Sequence, residues 1–141
     1  ITVCNDLGLQ VFIDHKSPKA FMSRELAGEL VDIMGDHGHS IISYDRQTLS
    51  ALCQCCPGMS LGVITHDIPL PEEIDGWIRV INPRFIFFAR HYEPKGAARI
   101  SRKGTRIGSH VVNSKDDWVK VRRFLGENCL IITDKPEKLL E

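Results

Sequence analysis

Residues 40–65 read SIISYDRQTLSALCQCCPGMSLGVIT. The run SIISY (40–44) is a strand by its apolar, β-branched character. Asp45 stands where a helix N-cap belongs, and DRQTLSALCQ follows as the helix. Pro57-Gly58 stops that helix, and SLGVIT (60–65) is a second strand. The stretch is therefore strand, helix, strand, joined by connections of ordinary length.

The same alternation continues outward in both directions. Upstream, LQVFID (9–14) reads as a strand, and Pro18 opens a helix running to Met34. Its apolar residues Phe21, Leu26, Leu30, Ile33 and Met34 recur at helical spacing, and Gly35 with the DHGH after it ends the helix. Downstream, HDIPLPEEIDG (66–76) reads as a loop with two prolines and a short helix. WIRVI (77–81) is left open between states, whereas RFIFFA (84–89), beyond Asn82-Pro83, is a strand. A helix is expected from Glu93-Pro94 to Lys103, closed by Gly104, and then a strand, TRIGSHVV (105–112). DDWVKVRRFLG (116–126) is a helix with Trp118, Val121 and Leu125 on one face. NCLIITD (128–134) is the last strand, and PEKLLE a short closing helix. Repeated β-α order means an α/β fold with a mostly parallel sheet and right-handed crossovers. Ligands in such folds sit at the carboxyl ends of the strands.

Composition agrees. The 141 residues are 43% hydrophobic and 26% charged, the mix of one soluble globular domain. No run of about 18 apolar residues occurs, so no membrane span is expected. The opening ITVCNDLGLQ lacks the basic and apolar regions of a signal peptide. Eighteen basic residues balance eighteen acidic ones, which argues against nucleic acid as a partner. Arg99, Arg102, Lys103 and Arg106 cluster, as do Lys120, Arg122 and Arg123; both groups read first as solvated helix faces and second as a surface for an anionic partner. Five cysteines include the crowded Cys53, Cys55 and Cys56, without the paired CxxC spacing of a zinc site. Reduced thiols and an intracellular location follow as expectations. The first residue is Ile1, so the chain reads as processed or as a piece of a longer protein.

The strand ends hold the candidate chemistry. Side chains alternate on a strand, so Asp14 and Lys16 of IDHK share a face and His15 points away. A carboxylate suits a hard cation such as Ca²⁺ or Mg²⁺, and a neighbouring lysine suits a phosphate oxygen. On spacing alone, a simple ion pair at the strand exit is the default. His66-Asp67 could be a base with its carboxylate, although adjacent residues seldom face each other. His110, on an apolar strand, reads first as a hydrogen-bonded structural histidine. His37 and His39 fall in a turn and are expected to be exposed, and His91 beside Arg90 and Tyr92 could face a ligand.

Taken in order, these strand ends resemble the glycerophosphodiester phosphodiesterase family. FIDHKS (12–17) matches a family strand close to N-I-E-I-K-S, and SYDRQTLSAL (43–52) matches an S-F-D strand end with its helix. PGMSLGVIT (57–65) matches P-x-x-x-x-G-x-L, and GTRIGSHVVN (104–113) matches G-x-x-V-x-x-W-T-V-N. CLIITDKP (129–136) matches G-I-I-T-D-x-P, and IITDKPEKLL (131–140) is the most specific piece. The resemblance implies a (β/α)₈ barrel of about 250 residues, of which residues 1–141 would supply the C-terminal portion, a partial TIM-barrel-like fold. It also implies metal-dependent phosphodiester hydrolysis in lipid metabolism, with Asp14 as a metal ligand and Lys16 as the phosphate-binding residue.

The departures matter as much. The family's His-Arg-Gly, Glu-x-Asp and His-Asp motifs would precede Ile1. Asp14 stands where the family has Glu, His110 replaces its tryptophan, and Val111 its threonine. Since that tryptophan helps wall the substrate site, His110 becomes the candidate for that wall. Two functions follow from the resemblance. One is a phosphodiesterase that is incomplete or inactive as this chain alone. The other is a degenerate, non-catalytic relative serving as a structural or interaction subunit. Half a barrel leaves open sheet edges, so a partner chain or a copy of itself is expected to cover them. A flavodoxin-like nucleotide-binding domain is disfavoured, because no strand leads into a glycine-rich phosphate loop.

Overall fold

The computed structural model describes residues 6, 10–16, 24–34, 38–66, 71–89 and 104–140. Its elements alternate: β1 (Phe12–His15), α1 (Arg24–Met34), β2 (Ser40–Ser43), α2 (Arg46–Cys55), β3 (Ser60–Thr65), α3 (Pro71–Val80), β4 (Phe85–Ala89), β5 (Arg106–His110), α4 (Lys115–Leu125), β6 (Leu130–Ile131) and α5 (Glu137–Leu140). Two compact units divide the chain. One comprises Ile1–Val63 with Trp77–Pro83, the other Ile64–Gly76 with Arg84–Glu141.

In the first unit, β1, β2 and β3 lie side by side in sequence order and run parallel. The register sets Asp14 beside Ile42, and Ile42 beside Gly62. Every residue of β2 is buried, as a strand covered on both faces must be. Its two serines are satisfied inside: Ser40 Oγ lies 2.7 Å from Ser60 Oγ, and Ser43 Oγ donates to the His15 carbonyl at 2.7 Å. Helix α2 is fixed at its head by Asp45, whose side chain accepts from the Gln47 N–H at 3.0 Å. It ends at Pro57-Gly58, where Gly58 takes φ +101°, a conformation that favours glycine. Leu49 and Leu52 drive its inner face into the core with Ile41 and Leu61.

In the second unit, β4, β5 and β6 are likewise parallel and in sequence order. Phe85, Ile86, Phe87, Phe88 and Ile107 are buried there. A Cβ on Gly108 would stand 2.5 Å from Phe87 Cδ1, so the ring occupies the space a side chain would need. Helix α4 is capped by Ser114, which accepts from the Asp117 N–H at 3.1 Å.

Several readings of the sequence need correction. His39 is not exposed: only 3% of its surface is open, and its Nδ1 accepts the Val11 N–H at 3.0 Å. That backbone donor at the start of β1 needs a partner, and the imidazole supplies it. WIRVI continues helix α3, with Trp77 buried against solvent and the Arg46 guanidinium 5.1 Å above its ring centroid. Ile33 lies outside the buried stripe of α1 at 58% exposure, and Ala27 and Met34 are buried. The last strand shrinks from NCLIITD to Leu130–Ile131. The expected helix at 93–103, the start of α1 from Pro18, His37, Asp67, His91 and the basic cluster at 99–103 lie outside the described residues. No helix among the described residues is long and apolar enough to cross a membrane.

Candidate functional site

The carboxyl end of β1 presents Asp14 and Lys16 together, as alternation requires. Lys16 Nζ lies 3.4 Å from Asp14 Oδ2, and the lysine side chain is 78% exposed. An exposed pair of this kind contributes only about 0–1 kcal/mol to stability, so the cation is cheaply released to another anion. At the adjoining end of β2, burial raises the Tyr44 phenol above its ordinary value, and the Asp14 carboxylate raises it further. Tyr44, which the sequence placed at a strand end without a role, thus stands within the field of Asp14. His15 Nδ1 is buried and has no hydrogen-bond partner among the described residues.

Asp45 closes the end of β2. The Thr48 hydroxyl donates to its Oδ2 at 2.6 Å, and this bond is the largest cause of a lowered carboxyl pKa; burial opposes the shift. The backbone N–H groups of Gln47 and Thr48 and the nearby His15 also lower it. Because those bonds spend the carboxylate on the helix cap, Asp45 serves structure.

In the second unit, His110 is 6% exposed and its Nε2 lies 3.0 Å from the Thr65 carbonyl oxygen. A carbonyl only accepts, so Nε2 carries the proton. The exposed His66 meets it edge-on, with ring centroids 5.6 Å apart. At the ends of β5 and β6, Asn113 Oδ1 accepts from the Thr133 hydroxyl at 3.1 Å and the Asp134 N–H at 2.9 Å. Its amide donates to Asp134 Oδ2 at 3.3 Å. These residues of VVN and ITDKP therefore bolt two strand ends together.

Among the described residues, no group of three His, Cys, Asp or Glu side chains could hold a metal ion. Asp14 offers one carboxylate, already engaged by Lys16. A divalent metal does not fit these residues by themselves.

No family model and no curated protein sequence matches the chain. Solved structures do. A phosphodiesterase from Oleispira antarctica, in complex with the product sn-glycerol-3-phosphate, superposes with a TM-score of 0.80 at 14% identity, covering 99% of this chain and 57% of that one. A candidate glycerophosphodiester phosphodiesterase from Galdieria sulphuraria gives 0.77 at 16% identity, covering 94% and 56%. The glycerophosphodiester phosphodiesterase of Thermotoga maritima gives 0.65 at 17% identity, covering 92% and 55%. The chain spans a little over half the length of these three structures. Its fold is that of a partial (β/α)₈ TIM-barrel-like domain, similar over nearly all of this chain to glycerophosphodiester phosphodiesterases.

Proposed function

We propose that the chain is the C-terminal portion of a glycerophosphodiester phosphodiesterase-like domain that binds a phosphodiester but does not hydrolyse it alone. The observation that carries this reading is the exposed Lys16 ammonium at the carboxyl end of β1, in a fold otherwise matched by such enzymes. Lys16 would leave Asp14 to meet the phosphoryl oxygens, and a point-charge contact of that kind is charge-assisted. The resemblance that marks Lys16 also marks His110, in the second unit, as a substrate-contact candidate. Hydrolysis needs a general acid and base in reach of the phosphoryl group. In this reading those groups, and the remaining ligands of any Ca²⁺ or Mg²⁺ that Asp14 helps to hold, come from another segment or chain. Water would then attack phosphorus, the alcohol would leave with a proton, and glycerol phosphate would remain.

A second reading, a degenerate non-catalytic relative acting as an interaction subunit, is favoured by His110. Its Nε2 is committed to the Thr65 carbonyl, and the side chain is almost fully buried, which suits a strut better than a pocket wall. In that case a partner chain would cover the outer edges of β1 and β6. An intracellular location fits either reading and is supported by the free thiols of Cys53, Cys55, Cys56 and Cys129.

Calorimetric titration with sn-glycerol-3-phosphate separates the two. The first reading expects binding that Lys16→Met weakens by roughly tenfold, the effect of one charge-assisted contact. It also expects no turnover of glycerophosphocholine by the chain alone, followed by phosphorus NMR with Ca²⁺ or Mg²⁺ present. A wild-type chain with no affinity for the ligand leaves the second reading standing.

A further inference from the structure

Two helices of equal length carry opposite charge on faces that no described residue covers. Each of α1 and α4 is 11 residues long. Helix α1 has one arginine against three acids, a net charge of −2. Helix α4 has four basic residues against two acids, a net charge of +2. The chain as a whole is neutral, so the charge is segregated and not in excess.

The distribution along each helix sharpens the point. Glu25, Glu29 and Asp32 are all exposed and follow an i, i+4, i+7 course, which sets them in one stripe. Ile33 borders that stripe at 58% exposure, and Val31 is 39% exposed on another side of the helix. On α4, Lys115, Lys120 and Arg123 are exposed. Val119 lies among them at 59% exposure and Phe124 beside them at 44%. None of the six charged side chains joins an ion pair or side-chain hydrogen bond with another described residue.

Like charges three and four residues apart destabilise a helix by about 0.2–0.5 kcal/mol per pair. Asp32 also sits in the last turn of α1, which has no basic residue to complement the helix dipole. The acidic stripe thus carries a local cost with no counterion on its own helix. The exposed isoleucine beside it, and the valine and phenylalanine beside the basic stripe, give each face an apolar component as well.

We propose that α1 of one copy docks against α4 of a second copy of this chain. The stripe of Glu25, Glu29 and Asp32 would face Lys115, Lys120 and Arg123, with Ile33 packed against Val119 and Phe124. Different surfaces meet on the two copies, so the contact is heterologous, head to tail. It uses side chains on helix faces and is separate from any backbone pairing at the strand edges.

Sedimentation velocity and native mass spectrometry over a concentration series test this. The chain associates at low salt, and association weakens as salt rises, because screening shortens from about 10 Å at 0.1 M to about 3 Å at 1 M. The variant E29K/D32K makes both faces basic, and K120E/R123E makes both acidic. Each variant alone loses self-association by about tenfold or more in dissociation constant, as close charge pairs at interfaces do. An equimolar mixture of the two associates again, since acidic faces then meet basic ones. Circular dichroism verifies that both variants are folded, which exposed substitutions on helices permit. A wild-type chain that stays monomeric at every concentration overturns the proposal. So does association that persists unchanged in both variants, or one indifferent to salt, which would mark pairing through strand edges. Affinity for sn-glycerol-3-phosphate at Lys16 is read separately, so either conclusion can fail without the other.

Discussion

Asp45 receives two donors at the head of α2, the Gln47 N–H and the Thr48 hydroxyl. Asp45→Ala removes both and should cost about 1 kcal/mol, within the usual range for an N-cap; urea unfolding reads it. The folded carboxyl has a lowered pKa, first because of Thr48. Its contribution is therefore fully present above the unfolded aspartate value, near 4, and is lost as pH falls through the lower folded value. The wild-type advantage over Asp45→Ala should shrink only in acid, and a difference that shrinks toward alkaline pH would contradict the assignment. Tyr44 gives a second residue-scale check. Burial is the first cause of its raised pKa and Asp14 the second. Asp14→Asn in a Tyr92→Phe background should lower the Tyr44 pKa toward its ordinary value without reaching it, followed by phenolate absorbance. No change would separate Asp14 from Tyr44. The cap was legible because its signal is local: Asp before a helical run. The burial of His39 was not, because its partner Val11 lies 28 residues away and a histidine in a turn carries no local sign of it.

At the scale of elements, β4 and β5 approach closely at Gly108. Gly108→Ala would bring a methyl group to 2.5 and 2.6 Å from the Phe87 ring and 2.9 Å from the Leu130 carbonyl oxygen. The ring can yield in part, but the carbonyl belongs to β6 backbone. A loss of about 1–3 kcal/mol is expected, as for overpacked cores. In a double-mutant cycle, Phe87→Leu should recover part of that loss and not all of it. Full recovery would mean that the β6 backbone is more yielding than its position suggests. The sequence showed these strands by their β-formers but not this packing, since a glycine inside a strand pattern marks close approach without saying by what. The helices were uneven in the same way. WIRVI has the β-branched character of a strand, yet it continues α3, because Ile74, Trp77 and Ile81 recur at three- and four-residue spacing and are all buried. Tertiary burial decided what propensity left open. Ile33 misled for the opposite reason: it fits a helical period by count but falls off the stripe of Ala27 and Met34.

For the whole molecule, alternation of strand and helix was enough to identify a parallel α/β fold, and the ordered strand-end motifs were enough to place it among barrel segments. The candidate site was legible only in part. Asp14 and Lys16 were paired by strand alternation alone, whereas the engagement of His110 with Thr65 spans 45 residues and depends on the fold. The strand order has a consequence for local stability. Within their own units, β1 pairs with β2 and β6 with β5, each on one side among the described strands. β1 has four residues and β6 two, and neither strand is buried throughout. β2 lies between β1 and β3, and β5 between β4 and β6, with β2 buried along its whole length and β5 buried except at Arg106. Opening an end strand breaks one ladder and exposes little apolar surface, whereas opening β2 breaks two and exposes Ile41 and Ile42. Native-state amide exchange should therefore show the slowest amides in β2 and β5 and faster ones in β1 and β6. Should a partner or second copy add a strand at either edge, protection in that end strand alone would rise with protein concentration. Protection that rises instead in α1 and α4, with the end strands unchanged, is the pattern that docking through the charged helix faces requires.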